Sequence, residues 1–236
     1  MSRIRNWFSQ LLGDSNENRL DFPPMENLKF PDDVHILLVG FSYDTPTKQT
    51  YTWIENVLSE SAAQHRVLRF HNEGLAKSIL EATLVNIRGR IEIFCGHGSS
   101  EGLYGPPFLA TLPMLLKDRH SIFYNIGMIT PGPSSMFAFC CGAANKFGRM
   151  FAAQKGNLFI GFKGDLPFPQ ELYGDLKYVF QIVAKDIIER GKIESTHEKM
   201  FIQEIDKLID TSGKYKNPTL AEIWLEEYKY HFRAFV

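Results

Sequence analysis

The feature that most constrains the fold is a nearly uninterrupted apolar run at positions 34–41, with the sequence VHILLVGF. A strand with one buried face alternates apolar and polar residues, whereas a continuous apolar run indicates burial on both faces, as in the centre of a parallel sheet. Further strands are predicted at 65–71, 91–95, 136–140 and 158–162. The sequence therefore predicts a largely parallel β-sheet.

Helical periodicity fills the segments between and after these strands. Helices are predicted at 49–63, 73–88 and 143–153, and a short helix at 109–117, while 122–128 fits either a strand or a buried loop. From position 171 onward the pattern is helical, with predicted helices at 172–190, 197–210 and 220–232. Alternation of strands and helices implies an α/β, doubly wound sheet with right-handed crossovers, here followed by a helical C-terminal portion. Residues 34–236 are therefore predicted to form one domain.

The first 33 residues read as an appendage to that domain. Five apolar residues fall at helical spacing and predict a short amphipathic helix ended by Gly13: Ile4, Trp7, Phe8, Leu11 and Leu12. Residues 14–33 are polar and contain prolines, which predicts a linker. The helix could pack on the domain or on a partner subunit, or it could dock on a membrane surface or another protein.

Composition excludes several classes of function. The chain has 236 residues, 44% of them hydrophobic, and a formal net charge of -1, so no electrostatic argument favours a nucleic-acid partner. Three cysteines cannot form a disulfide framework and suit a reducing compartment. The sequence has no run of about 18 apolar residues, so no membrane span is predicted. The N-terminus does not fit a signal peptide. The expected location is cytoplasmic.

Two predicted strands each end in a reactive side chain followed by glycine. His97-Gly98 follows the 91–95 strand, and Cys141-Gly142 follows the 136–140 strand. The carboxyl ends of parallel strands share one edge of the sheet, so the two side chains should meet there as nucleophile and base. The dipole of the 143–153 helix is expected to favour a Cys141 thiolate. The backbone N–H groups of Gly98 and Cys141 are the candidate oxyanion hole.

These segments, HGSSEGLYG from position 97 and FCCG from position 139, resemble those of caspase-like (clan CD) cysteine peptidases. The first run is one residue longer than the family pattern, and Cys140 stands where the family has a small residue before the nucleophile. The chain is most similar to the bacterial CHAT-type and metacaspase-like branches. The resemblance implies a three-layer αβα sandwich, with His97 as general base and acid and Cys141 as nucleophile.

The resemblance also implies how such an enzyme is used. It needs no metal or organic cofactor, it cleaves a specific protein substrate, and an activating or inhibitory protein partner could control it. A role in bacterial (antiviral) defence or regulated cell death is implied by the family alone. Several related branches cut after Arg or Lys and hold that side chain with an acidic residue. Asp165, after the 158–162 strand, is the candidate for this role.

Other interpretations of the same residues remain open. Cys95 and Cys140 are expected to be buried small apolar residues. A zinc site from Cys95, His97, Cys140 and Cys141 is disfavoured because no CxxC or HxxxH spacing is present. A serine hydrolase is disfavoured, because the sequence has no G-x-S-x-G elbow. The alternative from another class is a non-catalytic caspase-like or flavodoxin-like module that binds a partner or a nucleotide.

Overall fold

The computed structural model describes residues 34–40, 44–61, 66–71, 91–100, 102–104, 135–153 and 156–235. The strands are β1 (Val34–Gly40), β2 (Arg66–His71), β3 (Ile91–Cys95), β4 (His97–Ser99), β5 (Gly102–Tyr104), β6 (Ser135–Phe139), β7 (Leu158–Phe162) and β8 (Phe232–Phe235). The α-helices are α1 (Thr45–Ser61), α2 (Phe147–Ala152), α3 (Tyr173–Arg190), α4 (Ser195–Asp210) and α5 (Pro218–His231). Single 3₁₀ turns lie at Gln170–Leu172 and Ser212–Lys214. The predicted N-terminal helix and linker and the predictions at 73–88, 109–117 and 122–128 lie outside the described residues.

The described strands form a six-stranded sheet in the order β2-β1-β3-β6-β7-β8, and β4 and β5 form a separate hairpin. All neighbours in the large sheet are parallel except β7 and β8, so the predicted α/β fold with a mostly parallel sheet is confirmed. The chain moves outward in opposite directions from β1, which lies between β2 and β3. The boundary between β1 and β3 is thus the topological switch point, where open α/β sheets open a crevice at their carboxyl edge.

One face of the sheet carries the main core. Leu38, Ile93, Phe137 and Ile160 lie side by side across four neighbouring strands and are fully buried. They belong to one cluster with the apolar faces of α1, α3, α4 and α5. Phe180 of α3 makes ring contacts with residues of α1, β6, β7, α4 and α5: Trp53, Phe139, Phe162, Phe201 and Tyr228. Burying a large apolar side chain stabilises a fold by about 1.5–3 kcal/mol, so this cluster fixes the sheet against the helices.

The opposite face is covered by α2 within the described residues. Phe147 and Phe151 of α2 pack on Phe159 of β7, with ring centroids 5.8 and 6.2 Å apart. Helices thus lie on both faces of the sheet, which gives three layers. The same face holds Glu92 of β3, a buried carboxyl group.

Candidate active site

The candidate site lies at the carboxyl edge of three adjacent strands. Asp44 follows β1, His97 follows β3 and Cys141 follows β6, and these strands are neighbours in the sheet. The site therefore lies at the switch point between β1 and β3 and extends to the next strand. The sequence predicts His97 and Cys141 at this edge, and the structure adds Asp44 to them.

Asp44 holds the imidazole ring of His97. The distance from His97 Nε2 to Asp44 Oδ2 is 2.5 Å. The other carboxylate oxygen, Oδ1, accepts hydrogen bonds from the backbone N–H and the hydroxyl of Thr47, both at 2.9 Å. Burial raises the pKa of Asp44, but the hydrogen bonds from Thr47 and His97 outweigh it and the pKa is lowered overall. The carboxylate is thus ionised at neutral pH, it can only accept, and His97 Nε2 carries the hydrogen.

The local sequence explains the place of Asp44. In Asp44-Thr-Pro-Thr47, the aspartate is the N-cap of α1, and Pro46 lies in the first turn. Asp at the N-cap and Pro in the first turn are standard helix start signals. In agreement with these signals, α1 begins at Thr45, four positions before the predicted start at 49. This capping motif is the signal by which the residue could have been found.

Gly98 allows the histidine segment to lie against the cysteine segment. His97–Ser99 pairs with Gly102–Tyr104 in an antiparallel hairpin. A Cβ atom at Gly98 would lie only 2.6 Å from Cys140 Sγ and 2.6 Å from the Cys141 carbonyl oxygen. Only glycine fits such an approach, which is the physical basis of the His-Gly pair.

Cys141 lies in the loop after β6 and is half-buried. Its Sγ accepts a hydrogen bond from the backbone N–H of Leu166 at 3.3 Å. Burial raises the pKa of the Cys141 thiol above its ordinary value; the Leu166 N–H opposes this, and the negative charge of Asp165 adds to it. In this state the thiol is therefore protonated at neutral pH, and a base is needed to make it a nucleophile.

The predicted helix 143–153 is wrong at its start, because α2 begins only at Phe147. Gly142 has a left-handed backbone, with φ of 68°. The N–H groups of Gly142 and Ala144 donate to the carbonyls of Gly164 and Phe162, at 3.0 and 2.8 Å. These bonds tie the segment after Cys141 to the end of β7 in place of a helical turn. The expectation that a helix dipole at this point lowers the pKa of Cys141 is therefore also wrong.

A cavity of about 200 Å³ opens between these segments. His97 and Cys141 both line it, and its other described walls come from the ends of β3 and β6, the start of α1 and the loop after β7. The structure therefore brings the two predicted reactive residues to one cavity. Asp165 is exposed and does not belong to the described residues that line the cavity.

Cys95 and Cys140 are buried, and burial raises the pKa of both thiols. Such protonated thiols pack as small apolar side chains, as the sequence predicts. Among the described residues, no group of three or more His, Cys, Asp or Glu side chains is placed to hold a metal ion.

Neither protein-family models nor curated proteins give a match to this chain. In the part of the chain that the structure describes, every helix is too short or too polar to cross a membrane.

Proposed function

We propose that this protein is a caspase-like cysteine endopeptidase with an Asp44–His97–Cys141 site. The observation that carries the proposal is a histidine fixed by a carboxylate at 2.5 Å that lines the same cavity as a half-buried thiol. A nucleophile, a base and a group that orients the base are the parts of a hydrolytic triad. The sheet order and the position of the three residues at its carboxyl edge support the assignment to this class.

In the proposed mechanism the two ring nitrogens of His97 have different roles. Because Nε2 is bonded to Asp44, Nδ1 is the nitrogen that would take the proton from Cys141. The Cys141 sulfur would then attack the substrate carbonyl carbon, and His97 would return the proton to the departing amine. Water, deprotonated by His97, would hydrolyse the thioester and restore the thiol. The ionised Asp44 would stabilise the imidazolium formed in both steps.

The proposed oxyanion hole consists of the backbone N–H groups of Gly98 and Cys141. Support comes from the close packing of Gly98 on the Cys141 backbone, which holds the two segments next to each other. Preorganised donors of this kind stabilise the tetrahedral intermediate by about 3–4 kcal/mol each. The substrate would be a specific protein of the cytoplasm, and the family resemblance favours a role in bacterial defence or regulated cell death.

The test compares the wild type with Cys141→Ala, His97→Ala and Cys140→Ala. Cleavage of a mixed peptide library is measured for each protein, and so is labelling by thiol-directed alkylating agents. Cys140→Ala is the matched control, because it removes the neighbouring buried thiol. We expect peptide cleavage to be lost in the first two variants and kept in the control. Cleavage that survives in Cys141→Ala would contradict the proposal, and so would a Cys141 that resists alkylation at every accessible pH.

The second candidate is a non-catalytic binding module with the same fold. The raised pKa of Cys141 favours it, since an inert structural cysteine has the same property. An unreactive Cys141 in a folded protein would support this candidate.

A further inference from the structure

We infer that the cavity beside Cys141 is a specificity pocket for an uncharged, apolar side chain of the residue whose carbonyl is attacked. The inference rests on the proposed peptidase function and adds the substrate class. The side chain of that residue is attached one carbon away from the attacked carbonyl. It must therefore enter a space next to Cys141, and the cavity lined by Cys141 and His97 is such a space.

The described walls of the cavity are largely apolar. Phe139 forms one side, and it is fixed by ring contacts to Phe137 and Phe180 at 4.0 and 4.9 Å. Leu166 and Phe168, from the loop after β7, also line the cavity. A rigid aromatic wall and an aliphatic wall are the surfaces that apolar groups prefer to cover.

The two threonine hydroxyls of the described lining already donate hydrogen bonds within the protein. Thr50 Oγ1 donates to the carbonyls of Pro46 and Thr47, each at 3.1 Å. The Thr47 hydroxyl donates to Asp44 Oδ1 at 2.9 Å. The hydroxyls of Thr47 and Thr50 therefore donate within the protein and not to a ligand.

Charge is also missing from the described lining, apart from His97 when it is protonated. The described residues around the cavity include no Asp, Glu, Lys or Arg. The nearby carboxylate of Asp44 is engaged by Thr47 and His97, and Asp165 is exposed outside the lining. Among the described residues, none would supply a counter-charge to an Arg, Lys or Asp side chain in this cavity, and a charge that is desolvated without one is costly. The apolar preference thus differs from the Arg or Lys preference that Asp165 would give.

The size of the cavity suits a single side chain. Its volume of about 200 Å³ is below the roughly 300–1,000 Å³ of sites that enclose a whole small molecule. A Leu, Met or Phe side chain is the kind of group that suits such a space.

The experiment uses peptides that are identical except at the cleavage position, which carries Leu, Met, Phe, Arg, Lys or Asp. Each peptide is made as a fluorogenic substrate and as an acyloxymethyl ketone that alkylates the active thiol, and labelling of Cys141 is followed by mass spectrometry. We expect the Leu, Met or Phe probes to label at least about tenfold faster than the charged ones. Labelling does not require turnover, so it reports on the pocket even if cleavage is slow.

Each other outcome has a distinct meaning. Faster labelling by the Arg and Lys probes would overturn the apolar pocket and favour Asp165, while the peptidase proposal would stand. Faster labelling by the Asp probe, or equal rates for all probes, would also overturn the pocket alone. No labelling of Cys141 by any probe, in a protein that unfolds cooperatively on heating, would overturn both proposals.

A pair of variants tests the lining directly. Leu166→Glu places a carboxylate at the wall, and Leu166→Gln is the matched uncharged control. Both keep the backbone N–H that binds Cys141 Sγ. We expect the Glu variant to shift the preference towards Arg and Lys by about tenfold or more relative to the Gln variant. Equal preferences in two variants that unfold at similar temperatures would contradict the assignment of Leu166 to the pocket.

Discussion

Asp44 divides its two carboxylate oxygens between a helix and a histidine. Oδ1 accepts from Thr47 and so caps α1, while Oδ2 binds His97 Nε2. The cap fixes the carboxylate at the end of β1, because its position is set by the first turn of the helix. The histidine is thus oriented by a residue that the fold already holds in place.

Substitution can separate these two roles. Asn caps helices about as well as Asp does, whereas Ala costs about 1 kcal/mol at an N-cap. We expect Asp44→Asn to lower kcat/KM for peptide cleavage by on the order of 10²-fold with little change in stability, because the charge that stabilises the imidazolium is lost. Asp44→Ala should lose both activity and stability. Unfolding in urea and steady-state kinetics measure the two effects, and an Asn variant with wild-type kinetics would show that Asp44 does not act through His97.

The raised pKa of Cys141 predicts the pH dependence of its reactivity. A small alkylating agent reacts with the thiolate, whose fraction grows about tenfold per pH unit below the thiol pKa. An ordinary cysteine thiol has a pKa of about 8.5. Because burial raises the pKa of Cys141, we expect the alkylation rate of the free protein to rise steadily from about pH 6.5 to beyond about pH 8.5. The measurement is made in Cys140→Ala, so that the label is assigned without ambiguity. A rate that is already constant above about pH 6 would instead indicate a stable thiolate–imidazolium pair in the resting enzyme.

At the scale of elements, two glycines with left-handed backbones provide a matched comparison. Gly142 has φ of 68° and Gly156 has φ of 73°. A Cβ at Gly142 would lie 3.0 Å from the backbone of Ser99 in β4, whereas a Cβ at Gly156 would meet nothing within 4 Å. Gly142 thus joins the loop after β6 to the β4–β5 hairpin, and Gly156 only turns the chain.

We expect Gly156→Ala to cost about 1–2 kcal/mol, the penalty for a left-handed residue with a side chain. Gly142→Ala should cost more, because the hairpin must also move away. It should slow the labelling of Cys141 as well, while Gly156→Ala leaves that rate unchanged. Chemical denaturation and labelling by mass spectrometry check both effects, and equal effects of the two variants would show that the hairpin contact is unimportant.

Local patterns predict much of the fold. Strands 91–95 and 158–162 coincide with β3 and β7, and the three C-terminal helices begin within two residues of their predicted starts. These elements are determined by apolar runs and helical periodicity within their own sequence. The short strand β8 was not predicted, since it is defined by its antiparallel pairing with β7. The predicted start of α2 is wrong for a similar reason. The backbone N–H groups of Gly142 and Ala144 donate to carbonyls that lie far along the chain, and these bonds replace a helical turn.

The same distinction applies to the site. The sequence predicts His97 and Cys141 because each follows an apolar strand and precedes a glycine. The capping motif marks Asp44 as the residue that starts α1, but its contact with His97 depends on β1 lying beside β3, which no local pattern shows. The apolar lining of the cavity also depends on tertiary structure, because its walls come from loops after several strands.

At the scale of the whole molecule, the C-terminal helices support the site from behind. The hydroxyl of Tyr228 in α5 donates to the carbonyl of Pro167, in the loop that carries Leu166. The N–H of Lys163 donates to the carbonyl of His231 at 2.9 Å. The loop beside Cys141 is therefore held by α5, the last of the described helices.

The layer on the other side of the sheet contains a group that opposes stability. Glu92 lies in β3 opposite Leu37 and Met136, with only 3% of its surface exposed. Neither carboxyl oxygen has a hydrogen-bond partner among the described residues. Burial raises its pKa to about 8. The native protein therefore keeps Glu92 protonated at neutral pH, whereas the unfolded chain ionises it.

This difference sets the sign of a pH effect on the whole molecule. Between the ordinary carboxyl pKa and about 8, the native state binds one proton more than the unfolded chain. The contribution of Glu92 to the free energy of unfolding therefore falls as pH rises, by up to about 1.4 kcal/mol per pH unit.

We expect Glu92→Met, which introduces an apolar residue of similar length, to be more stable than the wild type at pH 7.5, with a smaller gain at pH 5. Glu92→Gln is the control, because it removes the titration but keeps an unpaired polar group. Urea unfolding of all three proteins at both pH values measures the differences. A Met-minus-wild-type difference that does not change with pH would mean that Glu92 does not keep its proton in the folded molecule, and that this face of the sheet holds a solvated or paired carboxylate instead.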